Sequence, residues 1–224
     1  MKMEHTTRTV QTYHRMYHLV SLDGNIGAGK TTLLEKFRRM KDVKVIDEPV
    51  DVWSYFRNGD KNLLQHFYGD TSRWAYTFQN AAILTRILHI RKTIEENPGY
   101  KYYITERSVL TDKYVFAEML SKDGLLSVME MQLYNLWFDS FARDIPDCIL
   151  WLATDVDTCV ERIKRRMRPG EENISREYLR KLDDAHHAWL DTQSNVVKIV
   201  DNDGITGNEL YSHLQSCLKG IDNA

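Results

Sequence analysis

Three cysteines in 224 residues, none in a C-x-x-C pair, argue against a cysteine-built metal site and are expected of a protein in a reducing compartment. Cys148 and Cys159 fall in or beside apolar segments and Cys217 in a late helical pattern. Prolines are only four and no Pro/Gly-rich stretch interrupts the chain, so no linker divides it. There is no internal repeat and no low-complexity segment. The net charge of −2 provides no bulk basic field, so nucleic acid is not an expected partner. No apolar run reaches the length of a membrane span, and no membrane partner is expected. Residues 1–15 carry Lys2, Arg8 and Arg15 against Glu4 and have no apolar centre, so they do not read as a secretory signal. The expectation is a flexible tail over 1–16 and a cytoplasmic protein, with organelle targeting left open.

What remains is one sizeable α/β domain, over 17–221. Its apolar fraction of 42% and charged fraction of 28% suit a globular core with a solvated surface. Five short apolar runs, at 17–23, 43–47, 102–105, 148–153 and 196–200, are separated by helical patterns. That alternation predicts βαβ units and a buried parallel sheet. A long helix is predicted over 72–96, with Trp74, Phe78, Ala81, Ile83, Leu84, Ile87 and Ile90 at near-helical spacing. A second, over 125–143, carries more apolar surface than one face needs. It reads either as a core helix or as one that also lines a subunit interface.

Residues 24–31 read Gly24-Asn25-Ile26-Gly27-Ala28-Gly29-Lys30-Thr31, followed by Thr32. A strand-like run leads in and a helical pattern leads out, the context of a phosphate-binding loop. Its glycines let backbone N–H groups surround phosphate oxygens, and the helix start adds partial positive charge. Lys30 can reach the outer phosphates and the Thr31 hydroxyl can hold Mg²⁺. Farther on, a helix predicted over 155–167, with Thr154 and Asp155 as capping candidates, ends in Arg162, Lys164, Arg165, Arg166 and Arg168. Such a run is ordinarily a solvated face. Beside a phosphate loop it also suits a lid over 162–174 that closes on transferring phosphate, with Pro169-Gly170 as its mobile turn.

Glu48 ends the second strand, and Glu106-Arg107-Ser108 ends the third, both at the edge where open parallel sheets bind ligands. Lys30, Glu48, Glu106 and Arg107 thus converge in the reading. Together they supply a phosphate holder, a Mg²⁺ carboxylate and a group to orient an acceptor hydroxyl. On position alone, Glu48 and Arg107 could equally form a structural ion pair.

Over 19–218 the chain resembles the deoxyribonucleoside kinases, the group of deoxycytidine, deoxyguanosine and mitochondrial-type thymidine kinases. The resemblance rests on the phosphate loop, Glu48-Pro49-Val50 with Trp53, Tyr68, Arg73-Trp74, Phe78-Gln79, Glu106-Arg107-Ser108, and Arg166-x-Arg168-x-x-Glu171 followed by Tyr178-Leu179. It implies a P-loop kinase fold, a five-stranded parallel sheet flanked by helices with an arginine-rich lid. It further implies ATP as donor with Mg²⁺, a deoxynucleoside as acceptor, and a homodimer. By the same resemblance Glu48 is the general base, Arg107 binds near the acceptor hydroxyl and the phosphates, and Glu106 is the Mg²⁺-associated carboxylate. Tyr68 and Glu171 match the pair that bonds the sugar 3′-hydroxyl, with Glu172 as a competitor because Gly170 stands where many members have an acid. Gln79 matches the base-reading amide, Trp53 and Phe78 the walls of the base slot, and Arg162, Arg166 and Arg168 the lid arginines.

Ala82, Arg86 and Asp112 match deoxycytidine kinase, where an arginine–aspartate pair lies at the far end of the slot. A charged pair there would stand where a thymine methyl must go, and is a poor neighbour for it. It could instead offer donors and acceptors to an amino group or purine edge. The expectation is deoxycytidine, deoxyadenosine or deoxyguanosine over thymidine, unless Arg86 and Asp112 are a surface pair. Two rival classes are a nucleoside monophosphate kinase, which a carboxylate at position 48 would disfavour by repulsion, and a nucleotide-binding switch, which has no need of Glu48 and Arg107.

Overall fold

The computed structural model describes residues 15–168, 171, 173–200 and 204–219. The elements run β1 (His18–Asp23), α1 (Lys30–Phe37), β2 (Val43–Ile46), α2 (Val50–Tyr55), β3 (Arg57–Asn58), β4 (Lys61–Asn62), α3 (Leu63–Gly69), α4 (Thr71–Glu96), β5 (Tyr102–Glu106), α5 (Val109–Thr111), a π-helical turn (Asp112–Ala117), α6 (Glu118–Lys122), α7 (Val128–Phe141), β6 (Cys148–Ala153), α8 (Val156–Arg166), α9 (Arg176–Leu190), β7 (Val196–Val200) and α10 (Gly207–Leu218).

The five expected strands form one sheet of order β2-β5-β1-β6-β7, parallel throughout. β1 sits at the centre, with Leu19, Val20 and Leu22 buried. A strand covered on both faces favours apolar residues, and in β1 from Leu19 onward only the buried Ser21 and Asp23, hydrogen-bonded to each other, interrupt them. From β1 the chain turns first to one side, for β2 and β5, and then to the other, for β6 and β7. That reversal opens a crevice beyond the C-terminal end of β1, where the phosphate loop, Glu48 and Glu106-Arg107 all lie.

α1 buries Leu33, Leu34 and Phe37, about 1.5–3 kcal/mol of transfer free energy each, which anchors the helix that follows the loop. α4 starts on Asp70, whose carboxylate accepts the Arg73 N–H at 3.1 Å, and places Phe78, Gln79, Ala82 and Arg86 on its buried face. α8 is capped by Asp155, as one of the two capping candidates required. Thr154 instead donates to the Ala28 carbonyl at 3.0 Å. α8 ends at Met167, whose left-handed backbone (φ 49°) closes the helix.

Three features depart from the sequence reading. The short β3–β4 hairpin was not expected. Neither was the π-helical turn, whose wider winding follows directly on α5. And Cys148 of β6 is disulfide-bonded to Cys217 of α10, their Cα atoms 5.7 Å apart. The 69-residue separation of the two cysteines gave no hint of this, because only the docking of α10 beneath β6 brings them together. Cysteine usage therefore no longer argues for a reducing compartment. Cys159 remains a buried free thiol.

Of the expected tail, residues 1–14 lie outside the described residues, as do Pro169, Gly170 and Glu172 of the expected lid. Arg15 donates to the Arg143 and Ile145 carbonyls at 3.0 and 3.1 Å. No helix of the described residues is long and apolar enough to cross a membrane.

Candidate active site

The loop after β1 turns through Gly24 (φ 149°) and Gly27 (φ 79°), backbone conformations that side-chain-bearing residues rarely adopt. A Cβ on Gly27 would come within 2.6 Å of the Cys159 carbonyl, so only glycine fits against α8. Asn25 pins the loop: its side chain donates to the Leu179 carbonyl at 2.8 Å and accepts the Ile26 N–H at 2.8 Å. Lys30 is buried, and its Nζ donates to the Gly24 and Asn25 carbonyls at 3.1 and 2.8 Å. Burial lowers its pKa to about 8, with Arg107 adding to the effect and Glu106, Glu48 and Asp23 opposing it. Lys30 Nζ lies 3.9 Å from Glu106 Oε1, and the Thr31 hydroxyl donates to Glu106 Oε2 at 3.5 Å.

On the other side of the crevice Glu48 follows β2. Its Oε1 accepts from Arg107 Nη1 at 2.9 Å and from Arg86 Nη2 at 3.1 Å. Burial alone would raise its pKa, but Arg107, Arg86 and Lys30 hold it at about 2, so it is ionised. Arg86 also grips Asp112, Nε to Oδ2 at 2.7 Å and Nη2 to Oδ1 at 3.2 Å, and donates from Nη1 to the Glu106 carbonyl at 2.6 Å. Arg86 is 2% exposed and Asp112 2%. The alternative of a surface pair is thereby excluded.

Between these charges runs an aromatic slot. The Trp53 and Phe78 rings lie 5.2 Å apart at 70°, and Phe67 stacks on Phe78 at 4.5 Å. Trp53 is fixed by its Nε1 donating to the Thr85 hydroxyl at 2.9 Å. The Gln79 side-chain oxygen is buried in the slot without a hydrogen-bond partner among the described residues. Such a group is costly unless a ligand meets it. Arg107 Nε is likewise buried without a partner, and its guanidinium lies 5.1 Å from the centre of the Phe116 ring. Glu171 is buried and held by Arg166 at 2.5 Å and Arg168 at 3.3 Å.

Two adjoining cavities result. One is lined by the slot residues Trp53, Tyr68, Phe78, Gln79, Ala82, Arg86 and Asp112, with Glu48, Ile26 and Glu171. The other is lined by Gly29, Thr31, Thr32 and Arg162. Arg162 Nη1 also donates to the Ala28 carbonyl at 2.8 Å. Gly27, Lys30, Glu106, Arg166 and Arg168 line both cavities and stand at their junction.

Thr31 and Glu106 present hard oxygen donors side by side, which suits Mg²⁺. That ion keeps several waters and is held through one or two protein oxygens plus substrate phosphates. No group of three or more His, Cys, Asp or Glu side chains that could hold a metal ion occurs among the described residues.

Val50, Leu64 and Phe116 also line the slot and were not among the expected site residues. Leu64 stands four residues before Tyr68 on α3, and Phe116 four after Asp112. The first spacing was readable as one helical face. So was the second, because four residues is close to one turn in an α-helix or a π-helix.

Comparison with known proteins agrees with this geometry. The deoxynucleoside kinase family profile matches residues 20–214. A probable deoxycytidine kinase of fowlpox virus is 37% identical over 174 residues, covering 76% of this chain and 71% of that protein. Deoxycytidine kinase 2 of Gallus gallus is 33% identical over 201 residues, covering 80% and 76%. The mitochondrial thymidine kinase 2 of Homo sapiens is 35% identical over 176 residues, covering 77% of this chain and 64% of that protein. The chain, with its phosphate loop facing an aromatic slot across Lys30 and Glu106, belongs to the deoxynucleoside kinase family.

Proposed function

We propose that this kinase transfers the γ-phosphoryl group of ATP to the 5′-hydroxyl of a deoxyribonucleoside, and that it favours deoxycytidine and purine deoxynucleosides over thymidine. Relatives named for deoxycytidine and for thymidine both match, so the base preference rests on the slot. The observation that carries it is the Arg86–Asp112 pair, buried at the end of the slot that also holds Gln79. Arg86 spends its donors on Asp112, Glu48 and the Glu106 carbonyl. Its effect on a thymine is therefore exclusion of the methyl group by a filled, charged volume. Gln79 supplies the hydrogen-bond reading through its unpaired oxygen.

In this reading Glu48 orients the acceptor hydroxyl and takes its proton. Both guanidinium bonds fall on Oε1, which leaves Oε2 for that hydroxyl. A carboxylate held near 2 is a weak base. That suits a loose transfer in which the proton leaves late and positioning matters most. Arg107 neutralises Glu48 and points charge at the transferring group. Lys30 leaves its loop carbonyls for the phosphates, and Arg162, Arg166 and Arg168 form the lid that follows them. Tyr68 and Glu171 bond the sugar 3′-hydroxyl, and Glu171, with one arginine bond on each carboxylate oxygen, has acceptor capacity left for it. Mg²⁺, held by Thr31 and Glu106, would neutralise charge on the phosphates. The ionised Glu48 also disfavours an acceptor that already carries a phosphate.

The active form we propose is a homodimer. α7 buries only Tyr134 and Phe138, while Val128, Met129, Leu133, Leu136, Trp137 and Phe141 are exposed, and Leu88 of α4 adds to the same kind of surface. An apolar face of this extent suits a second copy of the chain.

The test is a kcat/KM comparison of the four deoxynucleosides with Mg²⁺-ATP. Use of deoxycytidine or a purine deoxynucleoside with little use of thymidine supports the reading. A thymidine preference overturns the base assignment and leaves the enzyme class standing.

A further inference from the structure

Arg107 has a left-handed backbone (φ 59°), which residues with a side chain rarely adopt unless their surroundings enforce it. One restraint is plain: its N–H donates to the Leu22 carbonyl at 3.0 Å, at the end of β1. A second lies beneath it. Asp23, the last residue of β1, is wholly buried and lines neither cavity. Its Oδ2 accepts from the Ser21 hydroxyl at 2.6 Å and its Oδ1 from the Thr111 hydroxyl. Because the Thr111 proton goes to Asp23, the Thr111 oxygen is free to accept the Ser108 N–H, at 3.2 Å. The Ser108 hydroxyl in turn accepts the Thr111 N–H at 3.4 Å. The turn that follows Arg107 is thus closed on itself and tied to β1 through a single buried carboxylate. Burial pushes that carboxyl's pKa up, while the two hydroxyl bonds and the nearby charges of Arg107 and Arg86 oppose the shift.

We propose that Asp23 and Thr111 are positioning residues for phosphoryl transfer: together they brace the Ser108 turn so that Arg107 keeps its left-handed backbone and its guanidinium stays on Glu48. The inference rests on the role given above to Arg107. Asp23 immediately precedes Gly24, whose carbonyl holds Lys30, so the same carboxylate ties the donor side of the crevice to the acceptor side. A small shift of a group that orients reacting atoms lowers turnover more than affinity.

The experiment is a cycle of T111V and R107Q, with T111S and D23N alongside. Each purified enzyme is assayed for kcat and for both KM values, and its melting midpoint is recorded. T111V removes the hydroxyl while keeping the shape. The expected result is a kcat loss of about ten- to a hundredfold with KM for ATP within about twofold of the parent. T111S, which restores the hydroxyl, should recover kcat to within about threefold, and D23N, which keeps one acceptor, should fall between. In the R107Q background T111V should cost less than about twofold more, because the brace acts through Arg107. An unchanged kcat in both T111V and D23N overturns the proposal. So does a T111V loss that is the same with and without R107Q, which marks a general structural role. If R107Q alone leaves kcat unchanged, the role of Arg107 itself fails, and the brace with it.

Discussion

Arg86 and Glu48 are hydrogen-bonded, Nη2 to Oε1 at 3.1 Å, while the same guanidinium holds Asp112. Under the function proposed above, the residue at the base end of the slot is joined to the carboxylate at the hydroxyl end. Changing that end would then alter the charge balance around Glu48, and specificity and turnover would not be independent.

The first prediction concerns that link. Replacing both members of the pair, as R86M/D112A, should raise kcat/KM for thymidine relative to deoxycytidine by about tenfold or more. R86M alone should fare worse, because it leaves Asp112 buried without a counter-charge and strips one bond from Glu48. The check is a two-substrate comparison of the single and double variants. A flat thymidine efficiency in the double variant would falsify the specificity argument.

E48Q should lower kcat by about 10²- to 10⁴-fold. The amide keeps an acceptor oxygen for Arg86 and Arg107, so the fold and ATP binding should persist. Steady-state kinetics and nucleotide-binding titration check it together. Near-normal turnover with intact binding would remove Glu48 from the mechanism.

The pH profile should carry the mark of Lys30. Its pKa is lowered, to about 8, so the charged form is lost as pH rises through that value. kcat/KM for ATP, which reports the free enzyme, should fall above about pH 8. The fall in kcat itself should begin at higher pH, because bound phosphates stabilise the ammonium. Glu48, held near 2, is ionised at every pH above about 4 and should add no acid limb there. K30R should abolish the alkaline fall in kcat/KM, whatever activity it retains.

L133E/W137E places two charges on the exposed face of α7, away from both cavities. Light scattering on a sizing column should then report the mass of one chain where the parent reports two. A parent that already runs as one chain would refute the proposed interface.

Much of the site was legible in the sequence because its signals are local. The glycines of 24–29 encode a turn, the apolar run before them a buried strand, and Glu48, Glu106 and Arg107 stand at or just past the C-terminal ends of β2 and β5, where a parallel sheet directs them to one edge. The long α4 was readable from its periodicity, which placed Gln79 and Arg86 two turns apart on one face. All five strands of the sheet appeared at their expected positions.

The rest depended on where side chains point once distant segments meet. Nothing in the sequence around Arg86 indicates that it bonds Glu48, 38 positions away, as well as Asp112. The left-handed backbone of Arg107 is imposed by β1 and by the Ser108 turn, and the residue's own propensity argues against it. Cys148 and Cys217 meet only because α10 docks beneath β6. Backbone conformation and strand order follow from patterns a few residues long, so the linear chain carries them. Which charge faces which is settled by packing, where burial makes an unpaired charge costly and so pairs Glu48 with Arg86 and Arg107, and Asp112 with Arg86.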